Sequence, residues 1–383
     1  MATFALTALR VPKKFYKDVD KSRRRFLCAG DEELSGGKCK VGWSTVTTPE
    51  EYGGLGVHDL PRFARALRLR WLWQSWQHPE RPWVGTGSPC DASDRALFAA
   101  STAVIIGDGA TASFWFCSWL GGRQLYQAFP TLFARSARKN RSVKDALHDD
   151  RWIMDLRRND TDAIAPQVVQ LAREIRQAAT TPTPGTQDSI TWKLNASGCY
   201  TTSSAYRAQF SNRQVTSFKS IMWKIWAPGK VKMFLWLLHL DRLWCNDRLQ
   251  RRGWENGYFC PMCMRSLVTS VHLCWECPVA LQVWQAGATW IGCASLNQTL
   301  WCNETTTTGR AQRIIAAAAP GHRKDVRTMV ALICWHIWLE RNACTFREKQ
   351  PNATHVTNAC KRDMEQWRMA GAKCIELPFG EVT

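Results

Sequence analysis

The stretch CPMCMRSLVTSVHLCWECP, residues 260–278, holds four cysteines and one histidine. Two residues separate Cys260 from Cys263, and His272 and then Cys277 follow. Three thiolates and one imidazole form the donor set of a closed tetrahedral zinc site. A fourth protein ligand in place of water predicts a structural metal, because catalytic zinc keeps one position open. We therefore expect Zn²⁺ to hold a small fold together here.

The spacing also constrains the backbone around these donors. His272 and Cys277 are five residues apart, about 140° around a helix, so one regular helix would not point both at the same ion. We expect the histidine at or before a helix start and Cys277 on the first turns. Cys274 is a spare thiol that could compete as a ligand. The negative charge of the thiolates is predicted to be offset by nearby arginines, namely Arg251, Arg252 and Arg265.

Three alternatives to a metal site remain for these cysteines. They could be incidental cysteines beside a core histidine, although a complete four-donor set is more specific than a lone Cys-x-x-Cys. A redox pair is the second, but no thioredoxin-like βαβ pattern surrounds it. Disulfide bonds are the third alternative, because the chain has 16 cysteines. No secretory signal is recognisable at the N-terminus, so we expect an intracellular, reducing location, nucleus or cytoplasm, where disulfides are rare.

Charge and aromatic content narrow the class of protein. The chain of 383 residues has a net charge of +19, which suits a polyanion such as nucleic acid. A basic surface that only keeps the protein soluble is the alternative. Most of the 21 tryptophans lie in apolar runs, so we expect them in the core. The longest apolar run, residues 328–339, is too short to span a membrane.

The N-terminal half reads as helices with one hairpin. Residues 11–27 have the pattern of a basic amphipathic helix with Phe15, Val19 and Phe26 toward a core, and a bipartite import signal is the alternative. Asp59 is predicted to cap a helix that buries three side chains on one stripe, Phe63, Leu67 and Trp71. Residues 103–116, AVIIGDGATASFWF, predict a hairpin around a tight Asp108-Gly109 turn.

The C-terminal half also reads as helices with one hairpin. Residues 190–201 predict two short strands around a turn at 195–198, followed by a helix to Phe210 that Thr202 or Ser203 caps. A long apolar helix starts at Pro228-Gly229, and Asn246 is predicted to cap the short helix after it. A last helix is expected around 325–346.

These elements predict a mainly α fold with short β-hairpins and a small zinc-stabilised helical module in the C-terminal half. The predicted organisation is a basic helical region, a Thr/Pro linker, the zinc-binding domain, a second linker and a helical tail, at 1–178, 179–189, 190–302, 303–324 and 325–383.

At the level of longer motifs, the chain resembles a known family. MWKIWAPGKVKMFLWLLHLDRLWCNDRLQRRGW, then CPMC and VHLCWECPVALQVW, look like the reverse-transcriptase zinc-binding domain. The segments GGLGVHDL, IGDG, SFWFCSWLGG, VKDALHDDRW, SGCYTTSSAY and IWLERNACTF resemble the same region in the same order. This resemblance implies the C-terminal region of a plant non-LTR retrotransposon reverse transcriptase, downstream of the polymerase.

The catalytic groups of such a polyprotein are not recognisable in the chain. Reverse transcription needs carboxylates that hold two metal ions, and no aromatic-x-Asp-Asp motif is present. Asp149 and Asp150 form an acidic pair in a polar context, where we expect them to be solvated. No carboxylate set for a ribonuclease H or an endonuclease stands out. We therefore expect no enzymatic activity.

The predicted function is nucleic-acid binding organised by the zinc module. Eight basic residues and two acidic ones lie between 219 and 252. The predicted contacts with RNA or DNA are Lys230, Lys232, Arg248, Arg251 and Arg252. A catalytic reverse transcriptase acting in trans is a second candidate partner, and no membrane is involved. The alternatives are a zinc-structured protein-interaction module and a decayed retroelement fragment without selected function.

Overall fold

The computed structural model describes residues 2–29, 39–84, 87–157, 164–178, 183, 185–217 and 219–372. This part of the chain is mostly helical and holds one two-stranded antiparallel sheet, which confirms the predicted mainly α fold. Every cysteine within these residues is a free thiol. None of the helices in the described ranges is long and apolar enough to cross a membrane.

Seventeen α-helices and two strands follow one another along the described chain. They are α1 (Ala2–Ala8), α2 (Lys13–Ala29), α3 (Trp43–Val46), α4 (Leu60–Gln77), α5 (Ala92–Ser101), β1 (Thr102–Ile105), α6 (Leu125–Ala128), α7 (Pro130–Arg135), α8 (Val143–Leu147), α9 (Arg151–Met154), α10 (Ala165–Gln177), β2 (Ser189–Trp192), α11 (Thr202–Ala208), α12 (Gly229–His239), α13 (Asn246–Gln250), α14 (Pro278–Ile291), α15 (Thr307–Ala317), α16 (Arg323–Arg347) and α17 (Ala353–Met369). Short π-helical turns at Lys219–Trp223 and His272–Glu276 lie between the regular helices.

The chain divides into two compact units. The first consists of Met1–Lys21 and His58–Arg213, and the second of Ser22–Val57 and Gln214–Thr383. The predicted domain boundaries stay predictions. Within the predicted linker at 179–189, residues 179–182 and 184 lie outside the described residues.

The sheet of the first unit pairs strands that are distant in sequence. β1 runs antiparallel to β2, with Thr102 opposite Trp192 and Ile105 opposite Ser189. The hairpin predicted within 103–116 is therefore wrong. The second predicted hairpin keeps its turn, since the Trp192 amide donates to the Gly198 carbonyl at 2.8 Å, but residues 199–201 form no strand.

The loop after β1 is held by a carboxylate instead of by a second strand. Asp188 Oδ1 accepts hydrogen bonds from the amides of Gly107 and Gly109 at 2.8 and 2.9 Å. Its Oδ2 accepts from Thr111 and Ala112 at 3.0 and 2.9 Å. These four amides therefore turn toward Asp188, which is the physical reason that the residues after β1 do not fold back as a strand.

The start of α4 agrees with its prediction, but its buried stripe does not. Asp59 Oδ1 accepts a hydrogen bond from the Arg62 amide at 3.1 Å, as expected for an N-cap. Phe63, Leu67 and Trp71 are only partly buried. The predicted stripe is therefore displaced around the helix from the face that the neighbouring elements cover.

Ala66, Leu69 and Trp73 of α4 are buried in the larger core of the first unit, and the helix packs on α5 and α11. It also carries a buried cation, because Arg68 pairs with Asp94 of α5 at 2.7 Å. Asp94 has no exposed side-chain surface, so this ion pair lies inside the first unit. Burial of an arginine depends on a partner that sequence periodicity cannot reveal.

The basic helix at the N-terminus forms as predicted, but its phenylalanines face outward. Phe15 is 40% and Phe26 is 76% exposed, while Tyr16 is buried with Leu6 and Ala64. Val19 is half-buried. One residue rotates a helix by about 100°, so a one-residue error in the choice of face moves the predicted stripe into solvent.

The core of the second unit is built by α12, α14, α15, α16 and α17. The segment 303–324, predicted as a second linker, contains the whole of α15. Ala311 and Ile314 of that helix are fully buried in this core. Tryptophans lie at its centre as predicted, with Trp275 and Trp284 stacked at 4.9 Å between ring centroids.

Candidate metal centre and the basic cavity of the same unit

The first two donors lie on a tight turn. Phe259 and Leu267 form an antiparallel bridge, and the Cys260 amide donates to the Ser266 carbonyl at 2.7 Å. The Met264 amide donates to the Cys260 carbonyl at 2.7 Å, and Met264 adopts a left-handed conformation with φ of 54°. This turn reverses the chain directly after Cys263 and so presents both sulfurs on one side.

The other two donors are related by a π-helical turn. The Cys277 amide donates to the His272 carbonyl at 2.7 Å, which closes the five-residue separation that a regular α-helix would leave misaligned. The Thr269 hydroxyl accepts from the His272 amide at 2.9 Å and fixes the start of this turn. Cys277 directly precedes α14 and does not lie on its first turns. The histidine lies at a helix start, as predicted. Cys277 lies one residue before the helix on whose first turns it is predicted.

The structure brings the four predicted donors together. The ligating atoms of Cys260, Cys263, His272 and Cys277 all lie within 4.8 Å of one another, and the Cys263 sulfur is 3.4 Å from His272 Nε2. Donors on a tetrahedral zinc ion are separated by roughly 3.3–3.8 Å, given Zn–S near 2.3 Å and Zn–N near 2.0 Å. Three of the four residues are buried and Cys263 is half-buried. Donor chemistry and separation therefore both fit a closed tetrahedral ion.

Comparison with known proteins agrees with this geometry. Residues 200–284 match the family described as zinc-binding in reverse transcriptase. The chain carries a reverse-transcriptase zinc-binding domain. It is also 24% identical over 314 residues to a protein of Arabidopsis thaliana that bears the provisional name ribonuclease H protein.

That alignment covers 74% of this chain and 49% of the relative, so the chain spans about half of the relative's length. No solved structure matches the chain significantly. The zinc-binding domain and this relative are consistent with a retrotransposon-derived protein.

The side chains of Cys260 and Cys277 are in hydrogen-bond contact, and this contact shifts their two pKa values in opposite directions. It lowers the pKa of Cys260 to about 4, and His272 adds to this effect. It raises the pKa of Cys277. A bound metal ion needs both sulfurs as thiolates, so metal binding would release the proton of Cys277.

The spare thiol, Cys274, lies away from the four donors. Its side chain is buried against that of Cys334 on α16, and this contact raises the pKa of Cys274. Its backbone carbonyl accepts a hydrogen bond from the Trp284 indole at 2.8 Å. Cys274 therefore belongs to the core between the domain and α16, and the four-donor group within the described residues does not include it.

A buried cation near the domain was missed by the sequence analysis. Arg341 on α16 is 3% exposed and donates to Asn246 Oδ1 at 3.0 Å. Burial lowers the pKa of Arg341, and the nearby thiol groups of Cys245 and Cys260 oppose that effect. Asn246 makes no helix cap, contrary to the prediction, since its side chain accepts from Arg341 and donates to Gly257.

The arginines expected to offset the thiolate charge have other contacts. Arg251 pairs with Asp247 at 2.8 Å, and Arg252 stacks over the Trp244 ring with its guanidinium carbon 4.7 Å from the centroid. Arg265 is exposed. Arg341 is thus the cation that the tertiary structure buries near Cys260, although nothing in its local sequence distinguishes it from a surface arginine.

The five predicted nucleic-acid contacts do not all line one cavity. Lys230 and Lys232 lie on the first turn of α12, where Lys230 reaches over the Trp335 ring at 5.9 Å. Neither lysine is among the described residues that line a cavity together with Arg248 and Arg252.

Arg248 and Arg252 instead line a cavity of about 480 Å³ in the second unit. The cations at this cavity come from three separate segments of the chain, and its described lining consists of Arg24, Cys28, Cys39, Lys40, Val41, Gly42, Trp43, Arg242, Arg248 and Arg252. None of these lining residues is acidic. The structure therefore gathers five basic side chains, of which sequence analysis named two as contacts.

Proposed function

We propose that this protein is a non-catalytic, retroelement-derived nucleic-acid-binding protein of the plant non-LTR type, with structural zinc. The observation that carries the proposal is the connection between the candidate zinc site and the basic cavity. The Asp247 amide of α13 donates to the Val268 carbonyl of the zinc-binding loop at 3.2 Å. Because α13 also carries Arg248, the loop that holds the donors positions a wall of the cavity.

Zinc is assigned a structural role because the donor set leaves no open position. Cys260, Cys263, His272 and Cys277 would hold the ion, and the protein supplies all four ligands of a tetrahedron. When bound, the ion would tie the turn after Phe259 to the start of α14. Its chemistry here is to cross-link the fold, since a closed site has no place for a substrate or a water molecule.

The absence of enzymatic activity is part of the proposal. Asp149 and Asp150 are exposed, and Asp149 pairs with the exposed His148 at 2.6 Å, which supports a solvated pair. Among the described residues, the side chains that are placed to hold a metal ion are the four cysteine and histidine donors. The activity in the relative's name is not carried over, because this chain spans about half of that protein.

The proposed partner is RNA or DNA, bound through phosphates, at an intracellular location. A catalytic reverse transcriptase could act beside the chain in trans. Phosphate contacts release counterions, so the logarithm of the affinity should fall with the logarithm of salt concentration at about −0.9 per phosphate on duplex and −0.7 on single strands.

The test compares charge-removal pairs at several salt concentrations. The pair Arg248→Gln and Arg252→Gln should flatten the salt slope by roughly 1.4–1.8, corresponding to two phosphates. The control pair Arg138→Gln and Lys139→Gln removes two exposed charges of the first unit and should leave the slope nearly unchanged. Equal effects of both pairs would contradict the proposal and favour a basic surface that serves solubility.

The lysines of α12 provide a second comparison. The double variant Lys230→Gln and Lys232→Gln tests the two lysines of α12 independently of the arginines at the cavity. A slope change in this pair alone would place binding at the start of α12 and away from the cavity. Binding that does not respond to salt in any variant would instead support a protein-interaction module.

A further inference from the structure

Three residues that line the cavity carry a buried hydrogen-bond donor with no acceptor among the described residues. The Nε atoms of Arg24 and Arg248 and the indole Nε1 of Trp43 are all buried without a hydrogen-bond partner. A buried donor without an acceptor destabilises the fold, and a charged donor does so more strongly. Three such donors on the residues of one cavity indicate that an acceptor from outside the protein belongs there.

The charges around the cavity are crowded. Burial lowers the pKa of Arg248, the neighbouring charges of Arg242 and Arg252 lower it further, and Asp241 and Asp247 oppose this effect. Burial also lowers the pKa of Lys40. Burial and contact with Cys39 raise the pKa of Cys28 to about 12, so this thiol supplies no compensating negative charge at neutral pH.

Two described acids of the same chain segment, Asp241 and Asp247, already have partners. Asp241 accepts a hydrogen bond from the Ser270 hydroxyl at 2.5 Å, and its carbonyl accepts from Arg248. Asp247 is paired with Arg251 at 2.8 Å. An anion with several acceptor oxygens would satisfy the unpartnered donors and relieve the repulsion, and phosphate has both properties.

An exposed aromatic platform adjoins the cavity. Arg252 lines the cavity and also lies over Trp244, whose ring stacks on Trp254 at 5.2 Å and 28°. Trp254 is 48% exposed, unlike the core tryptophans, and the left-handed turn at Gly253 directs the chain to this position. An exposed indole beside cations is the combination that binds unpaired bases without sequence preference.

We propose that this cavity is a phosphate subsite for single-stranded nucleic acid, in which one backbone phosphate occupies the cavity and a neighbouring base stacks on Trp254. The inference rests on the nucleic-acid binding proposed above and specifies its substrate class. Stacking requires an unpaired base, so the platform distinguishes a single strand from a duplex.

The experiment measures fluorescence anisotropy of labelled oligonucleotides of about 12 nucleotides, as single strands and as duplexes, with the full chain in its zinc-loaded form. Trp254→Ala should weaken single-strand binding roughly 5- to 100-fold, leave duplex binding within about 2-fold, and be largely rescued by Trp254→Phe. Arg248→Gln should reduce the single-strand salt slope by about 0.7. Arg313→Gln, at an exposed arginine of α15, is the matched control and should bind like the unaltered protein.

Lys40→Gln keeps the test independent of folding defects. This change removes the charge of a partly buried lysine, and the described lining of the cavity holds no acidic residue to pair with it. It should therefore raise the urea midpoint while lowering the affinity for single strands. A residue with a structural role alone would lower stability without this opposite change in affinity. Lys40→Gln with unchanged affinity would count against the subsite even if Arg248→Gln failed to fold.

The remaining outcomes separate the two proposals. If the unaltered protein binds nucleic acid but Trp254→Ala and Arg248→Gln bind equally well, the subsite is wrong and the general function stands. If the unaltered protein binds neither strands nor duplexes, both are wrong. Thymidine monophosphate and pyrophosphate test whether the cavity binds free nucleotides instead of a strand. If Arg248→Gln abolishes their binding but leaves the binding of strands unchanged, the cavity serves free nucleotides and the strand subsite is overturned.

Discussion

Replacement of Asp188 by alanine should destabilise the first unit far more than its position in a Thr/Pro-rich segment suggests. The carboxylate accepts four backbone hydrogen bonds of 2.8–3.0 Å from the loop after β1. Gly107, Gly109 and Ala112 are buried, whereas Thr111 is exposed and can turn to water. Three shielded amides would therefore lose their acceptor in Asp188→Ala.

The magnitude follows from these three bonds. A hydrogen bond to a charged group contributes about 1.5–3 kcal/mol, and Asp188 is itself only half-buried, so the lower part of that range applies. We expect a loss of about 4.5–6 kcal/mol in the free energy of unfolding, a large part of the 5–15 kcal/mol typical of a domain. Asp188→Asn should recover little, because its amide nitrogen would face two of the donors.

Urea unfolding, with hydrogen exchange resolved to residues 102–112, measures this loss and its location. Asp108→Ala is the matched control, since Asp108 accepts one exposed bond from the Ala110 amide at 3.0 Å and should cost less than about 1 kcal/mol. If both substitutions lower stability equally, or if exchange in the loop is unchanged in Asp188→Ala, the four-amide anchor does not stabilise the fold.

Further predictions concern the second unit and catalysis. Cys263→Ser should release zinc and unfold the module locally, because structural zinc supplies roughly 10–16 kcal/mol, while Cys274→Ser should retain the metal; equal zinc content by mass spectrometry would refute the ligand assignment. Primer extension with Mg²⁺ or Mn²⁺ should be absent, and any activity that disappears in Asp149→Ala would show that this aspartate is catalytic. Burial lowers the pKa of His239 to about 4, so the unfolded chain binds more protons between pH 4 and 6.5, and stability should fall as pH falls through this window. His239→Asn should reduce that dependence in urea titrations at constant zinc. Ile314→Ala should cost roughly 2–5 kcal/mol, as a core position does, whereas a linker position would cost almost nothing.

Elements whose information is local could be predicted from the sequence. The cap at Asp59 and the apolar helix after Pro228-Gly229 lie where their residues predict them. The donor set from Cys260 to Cys277 also depends on one short segment, in which a tight turn and a π-helical turn are enough to bring the ligating atoms together.

Choices between equivalent local patterns could not be predicted. Residues 103–116 have the composition of a hairpin, but β1 pairs with β2 because Asp188 binds the amides of the intervening loop. The repeated alanines and threonines of 303–324 look like a linker, yet α15 is buried because apolar faces of other helices cover it. In each case the deciding partner is remote in sequence, so periodicity alone carries no information about it.

By itself, the sequence determined the helical class of this protein, the four donors and the basic character that suits a polyanion. Tertiary structure alone decided which cations act together: Arg24 and Lys40 join Arg248 at one cavity, while Lys230 lies on the first turn of α12. Ligand spacing on a short loop is a local property of the chain. A cavity is formed by packing between distant segments, and its charge depends on which side chains that packing brings together.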